Sequence, residues 1–183
     1  MKIIYKTATS FNGYIADQNQ SLQWLFDVSH DGADDNSAFL DDVGAIVEGS
    51  HTYEWVLRET DMLSNPDQWR HYFGERTVFI FTSRDLPVPN GANVKFLHMS
   101  VADASPTIRE AAHGKNAWVV GGGELAAQFI DAAALDEIHL TMAPVALDSG
   151  APLLPRRLES SHISLQDVRR QGQFVELRYT LQY

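Results

Sequence analysis

Three segments of this chain carry residue types suited to holding a phosphorylated ligand. Gly121-Gly122-Gly123 stands between an apolar run, Ala117-Trp118-Val119-Val120, and a stretch with Leu125, Phe129 and Ile130 at helical spacing. Where a strand turns through glycine into a helix, the first backbone N–H groups are free and the helix dipole is positive. An anion such as pyrophosphate can sit there, and glycine allows the close approach. Three glycines also serve simply as a sharp turn, and the local sequence admits both readings. Gly121, Gly123 and Ala126 satisfy a permissive G-x-G-x-x-G/A spacing. A dinucleotide-binding unit, however, places that motif after its first strand with an acid about 20 residues later, whereas here the turn comes late and Asp136 and Glu137 are nearer. Gly49-Ser50-His51-Thr52 repeats the arrangement after Ala45-Ile46-Val47, and Thr82-Ser83-Arg84 closes a third apolar run with hydroxyls and a guanidinium. Ligands of open α/β sheets gather beyond the carboxyl ends of the strands, so three polar strand ends point to one cleft for an extended cofactor.

Other chemistries find less support. Asp27, Asp31, Asp34 and Asp35 fall in a polar segment that should flank the substrate half of such a cleft. A carboxylate there could orient a heterocycle or relay a proton, with Asp27 the weak candidate, but a solvated acidic loop explains the same residues. The seven histidines show no HExxH or other compact ligand spacing, which argues against a zinc site. No G-x-S-x-G elbow and no GxxxxGK[ST] loop occurs. Trp24 is the better aromatic candidate for the cleft, because Trp118 lies in an apolar run and reads first as core.

The elements that must position these residues follow from patterning. Ile3-Ile4-Tyr5 opens a first strand that exits through Ser10-Phe11-Asn12-Gly13, and residues 21–35 read as an irregular loop. Asn36 or Ser37 caps a short helix through Asp42, then comes a strand ending at Glu48-Gly49 and a helix with Tyr53, Val56 and Leu57 on one face. Asn65-Pro66-Asp67 marks a loop, Thr77–Phe81 and Val94–Leu97 are strands, and Ser105-Pro106 starts a helix with the cap before proline. Asp136–Met142 is a strand. Near the end, Val175, Leu177, Tyr179 and Leu181 alternate with Glu176, Arg178 and Thr180, as in a strand with one solvated face, and Ile163–Val168 completes a hairpin. Alternating strands and helices followed by this hairpin predict an α/β fold, a mostly parallel sheet with an antiparallel C-terminal edge, in a single domain spanning 1–183.

Composition sets the outer limits. There is no cysteine, which removes disulfides, thiolate metal sites and thiol nucleophiles, so redox chemistry must come from a cofactor. A formal net charge of −10 with scattered basic residues argues against nucleic acid as a partner. No apolar run approaches the roughly 18 residues of a membrane span and the N-terminus lacks a secretion signal, so a cytoplasmic location with no membrane partner is expected.

In motif order the chain resembles the dihydrofolate reductase-like superfamily, particularly the C-terminal reductase domain of the bifunctional riboflavin biosynthesis deaminase/reductase. The resemblance rests on Ser10-Phe11-Asn12-Gly13-Tyr14-Ile15-Ala16, Ile46-Val47-Glu48-Gly49-Ser50-His51-Thr52-Tyr53, Val119-Val120-Gly121-Gly122-Gly123-Glu124-Leu125, and Pro144 through Gly150-Ala151-Pro152-Leu153. It implies a three-layer reductase fold with NADPH across the carboxyl edge of the sheet. Gly49, Ser50, His51 and Thr52 would meet phosphate or ribose, Ser83 and Arg84 the 2′-phosphate, and Gly121, Gly122, Gly123, Glu124 and Leu125 the pyrophosphate. Ala16 would lie near the nicotinamide, with Ile15 lining the cleft, while Trp24 stays the candidate for the substrate on its residue type alone. Two departures stand out. Ser50 replaces an arginine that many members carry, so a preference for NADPH over NADH leans on Arg84, and Asn12 replaces an aspartate. The resemblance implies hydride transfer to a conjugated C=N or C=O of a small substrate, and a homodimer. A noncatalytic nucleotide-binding or sensing protein of the same fold fits the same motifs.

Overall fold

The apolar N-terminal run forms β1 (Ile3–Ser10), and the Asn12-Gly13 turn, with Gly13 at a φ of 89°, returns the chain into the short β2 (Tyr14–Asp17). The computed structural model describes residues 1–32 and 36–183, so Asp34 and Asp35 of the acidic segment lie outside the described residues. Two short helices, α1 (Gln23–Phe26) and α2 (Ser37–Asp41), flank that gap. The first interrupts the segment that polarity alone predicts to be loop. Next come β3 (Val43–Gly49), α3 (Ser50–Glu59), α4 (Asp67–Phe73), β4 (Thr77–Phe81), β5 (Val94–Leu97) and α5 (Val101–Ala111). The chain closes with β6 (Asn116–Gly121), α6 (Gly123–Asp131), β7 (Glu137–Ala143), β8 (Gly150–Pro152), β9 (Ile163–Gln171) and β10 (Phe174–Leu181).

Eight strands make one sheet in the order β5-β4-β3-β6-β1-β7-β10-β9, while β2 and β8 pair separately. Strands β5, β4, β3, β6, β1 and β7 run parallel, and β10 pairs antiparallel with both β7 and β9. This is the mostly parallel sheet with an antiparallel C-terminal hairpin that the patterning predicts. Because side chains alternate across a strand, each face builds its own core. Ile3, Tyr5, Val47, Phe79 and Val119 pack with Ile108 of α5 and Leu125 and Phe129 of α6. Ile46, Val78 and Ile80 pack on the opposite face with Tyr53 and Leu57 of α3 and Trp69 and Phe73 of α4.

Three local expectations differ from the structure. Helix α5 begins at Val101 rather than at Ser105, and Pro106 lies inside it. Ser100 accepts a hydrogen bond from the Asp103 N–H at 3.2 Å, and its hydroxyl donates to the Asp103 carboxylate at 2.6 Å. This reciprocal cap overrides the signal of a later proline. Replacing Ser100 with alanine is expected to lower unfolding stability by about 1 kcal/mol, measured by denaturant titration. Helix α4 follows Pro66 where only a loop is expected, and it is retained because Trp69 and Phe73, one turn apart, bury together. Finally, the polar face of β10 is not solvated at Glu176, which is 4% exposed and ion-paired to Lys6 of β1.

Candidate functional site

The carboxyl ends of β1, β3 and β6 open into a cleft of about 830 Å³. Thr7 of β1, Ile15 and Ala16 of β2, Gly49, the Ser50-His51-Thr52 start of α3, Gly121–Gly123, and Glu124 and Leu125 of α6 line it, closed by Ala151 and Pro152 of β8. These include all of the sequence-predicted cofactor residues except Ser83 and Arg84, which lie outside the cleft wall. Arg84 donates from Nη1 and Nη2 to the two carboxylate oxygens of Glu54, at 3.0 and 2.6 Å, and Glu54 does line the cleft. Arg156 makes a similar pair with Glu124 at 2.8 Å and also reaches Asp131 at 3.0 Å.

The structure separates the glycines that sequence treats as one motif. A Cβ on Gly123 would lie 2.3 Å from the Pro152 carbonyl oxygen and 2.5 Å from that of Leu153, so this glycine lets α6 pack against β8. A Cβ on Gly121 would press on Thr52 Oγ1 at 3.3 Å. A Cβ on Gly122 would meet nothing nearer than Ile15 Cδ1 at 3.9 Å. No neighbouring atom crowds a side chain at 122. The bare backbone there leaves space in the cleft at the N-terminus of α6, where a phosphate is favoured. Asn12 is explained by structure as well. Its Oδ1 accepts from the Leu147 N–H at 3.1 Å and its Nδ2 donates to the Leu147 carbonyl at 2.8 Å. A carboxylate could not make the second bond.

A second pocket, of about 330 Å³, adjoins the first, and Thr7 lines both. Its walls include His30, Phe39, Trp118 and Phe174, with polar contributions from Lys6, Thr141 and Gln171. Trp118 is therefore a pocket wall as well as core, its indole N–H donating to the Lys6 carbonyl at 2.9 Å. Trp24 and Asp27 line neither pocket, and the exposed Asp27 carboxylate accepts from Gln23 at 2.7 Å.

Lys6 is the residue that sequence reasoning passed over. Its ammonium is buried, donates to Glu176 at 3.2 Å and lies 5.2 Å from the centroid of the Phe39 ring. The available signal was a lysine following Ile3-Ile4-Tyr5 in a strand with apolar neighbours, since lysine is seldom buried without a partner. Across the sheet from Lys6 stand His139 and then Arg178. Burial works to raise the Glu176 carboxyl pKa, but the charges of Lys6 and Arg178 outweigh it and hold the group below its ordinary range. Burial pushes the His139 imidazole down, although its ring nitrogen bonds Glu137 at 2.8 Å. Compared with an apolar pair of the same size a buried ion pair adds little stability, although removing one partner alone is costly, so its position in a pocket wall directs attention to recognition. Among the described residues, no group of three or more His, Asp or Glu is placed to hold a metal ion, and no helix is long and apolar enough to cross a membrane.

The family model for the RibD C-terminal domain matches residues 1–175. The chain belongs to this family. It is similar to the uncharacterized protein YwjB of Bacillus subtilis (strain 168), 28% identical over 178 residues that cover 97% of both chains. A protein of Shewanella sp. PV-4 with a riboflavin-biosynthesis description superposes with a TM-score of 0.78 at 25% identity, all of both chains being covered. The fold is shared with dihydrofolate reductase from Enterococcus faecalis, solved with NADP(H), at a TM-score of 0.60 and 14% identity over 100% of this chain and 97% of that one. It is also shared with the Thermotoga maritima diaminohydroxyphosphoribosylaminopyrimidine deaminase/5-amino-6-(5-phosphoribosylamino)uracil reductase, at 0.63 and 14% identity. This chain, 99% covered, spans 56% of that protein. The fold is the one these two reductases adopt.

Proposed function

We propose that the protein is a reductase in which NADPH, with NADH admitted at the same cleft, delivers hydride to a C=N or C=O bond of a small, pterin- or pyrimidine-like heterocycle. The observation that carries this reading is that the two cavities share a wall at Thr7. A dinucleotide lying over Gly121–Gly123 would bring its nicotinamide toward Thr7, beside the second pocket and any flat acceptor held there. Gly49–Thr52 and the N-terminus of α6 hold the phosphates, and Ile15 and Ala16 flank the nicotinamide. The cofactor supplies the hydride when bound, and the chain positions, excludes water and handles the proton. The aromatic walls of the second pocket suit a planar ring, and Lys6 is the buried ammonium that stands in its wall. We assign to Lys6 the proton that accompanies hydride transfer. The E. faecalis neighbour, solved with NADP(H), and the T. maritima neighbour, described as a 5-amino-6-(5-phosphoribosylamino)uracil reductase, support the reading.

The test is substrate-dependent NADPH oxidation across dihydropterins, aminopyrimidines and small carbonyl compounds. Turnover of at least one heterocycle is expected, falling about hundredfold in Lys6→Met with cofactor affinity unchanged. Tight cofactor binding with no turnover across the panel would move the protein to nucleotide sensing.

A further inference from the structure

We propose that Glu54 sets the balance between NADPH and NADH, by occupying the guanidinium of Arg84 that would otherwise receive the 2′-phosphate. This rests on the reductase reading, and the placement follows from the two cavities. On that reading hydride transfer takes place beside Thr7 of β1, which lines both cavities. From β1 the sheet continues through β6 and β3 to β4, a span of about 14 Å at the usual strand spacing. That length suits the rest of an extended dinucleotide, whose adenosine half then reaches the ends of β3 and β4. Glu54 projects into the cleft wall from α3 at this end, and Arg84 follows β4.

The chemistry of the two side chains points in opposite directions. A carboxylate accepts a hydrogen bond from a ribose 2′-hydroxyl and repels a 2′-phosphate, whereas an arginine fork favours the phosphate. Here the fork is committed, because both terminal nitrogens already donate to Glu54. Arg58, the arginine of the described cleft wall, donates to Glu59 at 3.2 Å. A 2′-phosphate that takes Arg84 therefore leaves Glu54 unpaired beside it. The Arg84–Glu54 pair is itself half open to solvent, 50% and 36% exposed, and such pairs are held weakly. The phosphate can displace it, but the freed Glu54 carboxylate beside it then repels the phosphate and offsets the gain. Wild-type affinities for NADPH and NADH should then lie within about fivefold of each other.

The experiment is calorimetric titration of the wild-type protein, Glu54→Gln and Arg84→Ala with NADPH and NADH, repeated with 2′-phospho-ADP-ribose and ADP-ribose. Both sites are on the surface, and circular dichroism checks that each variant is folded. Glu54→Gln frees the fork and should shift the NADPH-to-NADH affinity ratio toward NADPH by about tenfold or more, with the same shift for the ADP-ribose pair. Arg84→Ala should weaken NADPH and leave NADH unchanged. A ratio in Glu54→Gln that stays within about twofold of wild type, or moves toward NADH, overturns the assignment of Glu54 and leaves the reductase reading standing. Failure of the wild-type protein to bind either nucleotide overturns both.

Discussion

Replacing Gly122 with valine is expected to abolish nicotinamide nucleotide binding while leaving the protein folded. The φ of −88° and ψ of −177° at this position lie outside the left-handed region, and an added Cβ has its nearest protein neighbour 3.9 Å away. The branched side chain enters the cleft at the start of α6, where the free N–H groups would meet a phosphate. Losing even two charge-assisted hydrogen bonds, at about 1.5–3 kcal/mol each, weakens binding by at least about hundredfold. Calorimetry with NADPH gives the affinity, and circular dichroism confirms the fold. Gly123→Ala provides the contrast, since its Cβ is driven against two backbone carbonyls and its cost appears as lost stability. If Gly122→Val binds NADPH as tightly as the wild type, the pyrophosphate does not lie on this turn.

The second large effect belongs to Glu48, at the end of β3. Its side chain is 1% exposed, and Oε2 has no hydrogen-bond partner among the described residues. Burial raises its pKa from 4.5 to about 8. The folded protein therefore holds a proton that the unfolded chain releases above about pH 4.5. By linkage this contribution to stability is full below the unfolded pKa and is lost as pH rises through that window to the folded value. At pH 8 the accumulated loss is on the order of a few kcal/mol. Glu48→Gln, which mimics the protonated acid, should be the more stable protein at pH 8 and equal to wild type near pH 4.5. His139 acts in the opposite sense, because burial favours its neutral ring, so variant and wild type are compared at each pH by thermal unfolding. Parallel pH profiles for the two proteins would show that Glu48 is ionised in the fold.

Most of the first cavity was legible in the sequence because its walls are local. A buried strand, a glycine and a helix follow one another within about a dozen residues at Gly49 and again at Gly121–Gly123, and each such unit declares its own strand end. The second pocket was illegible for the opposite reason. Lys6, Phe39, Trp118, Thr141 and Phe174 come together only through strand order and register, which no local periodicity encodes. Glu176 illustrates the limit. Alternation along β10 places it opposite the apolar face, but whether that face meets water depends on what the chain lays over it, here Lys6 and its neighbours. Arg84 was recognised as a cation at a strand end, yet its partner Glu54 sits 30 residues earlier on a helix. At α5 the reading failed between two valid start signals, and the one that closed a reciprocal hydrogen-bonded ring prevailed.

The position of β1 also governs how the molecule comes into being. The first strand of this sequence lies in the interior of the sheet, between β6 and β7, and its earliest lateral partner begins at Asn116. Until that residue has been synthesised, Ile3, Ile4 and Tyr5 have no edge to join, while β3 and β4 can already pair with each other. Assembly should therefore begin at the β3–β4 half and take in β1 only once β6 is present, before β7, β10 and β9 can extend the sheet beyond it, a high-contact-order route that is slow and leaves an apolar strand exposed to other chains meanwhile. An N-terminal fusion that holds the first residues back would be felt during synthesis, before any ligand is met.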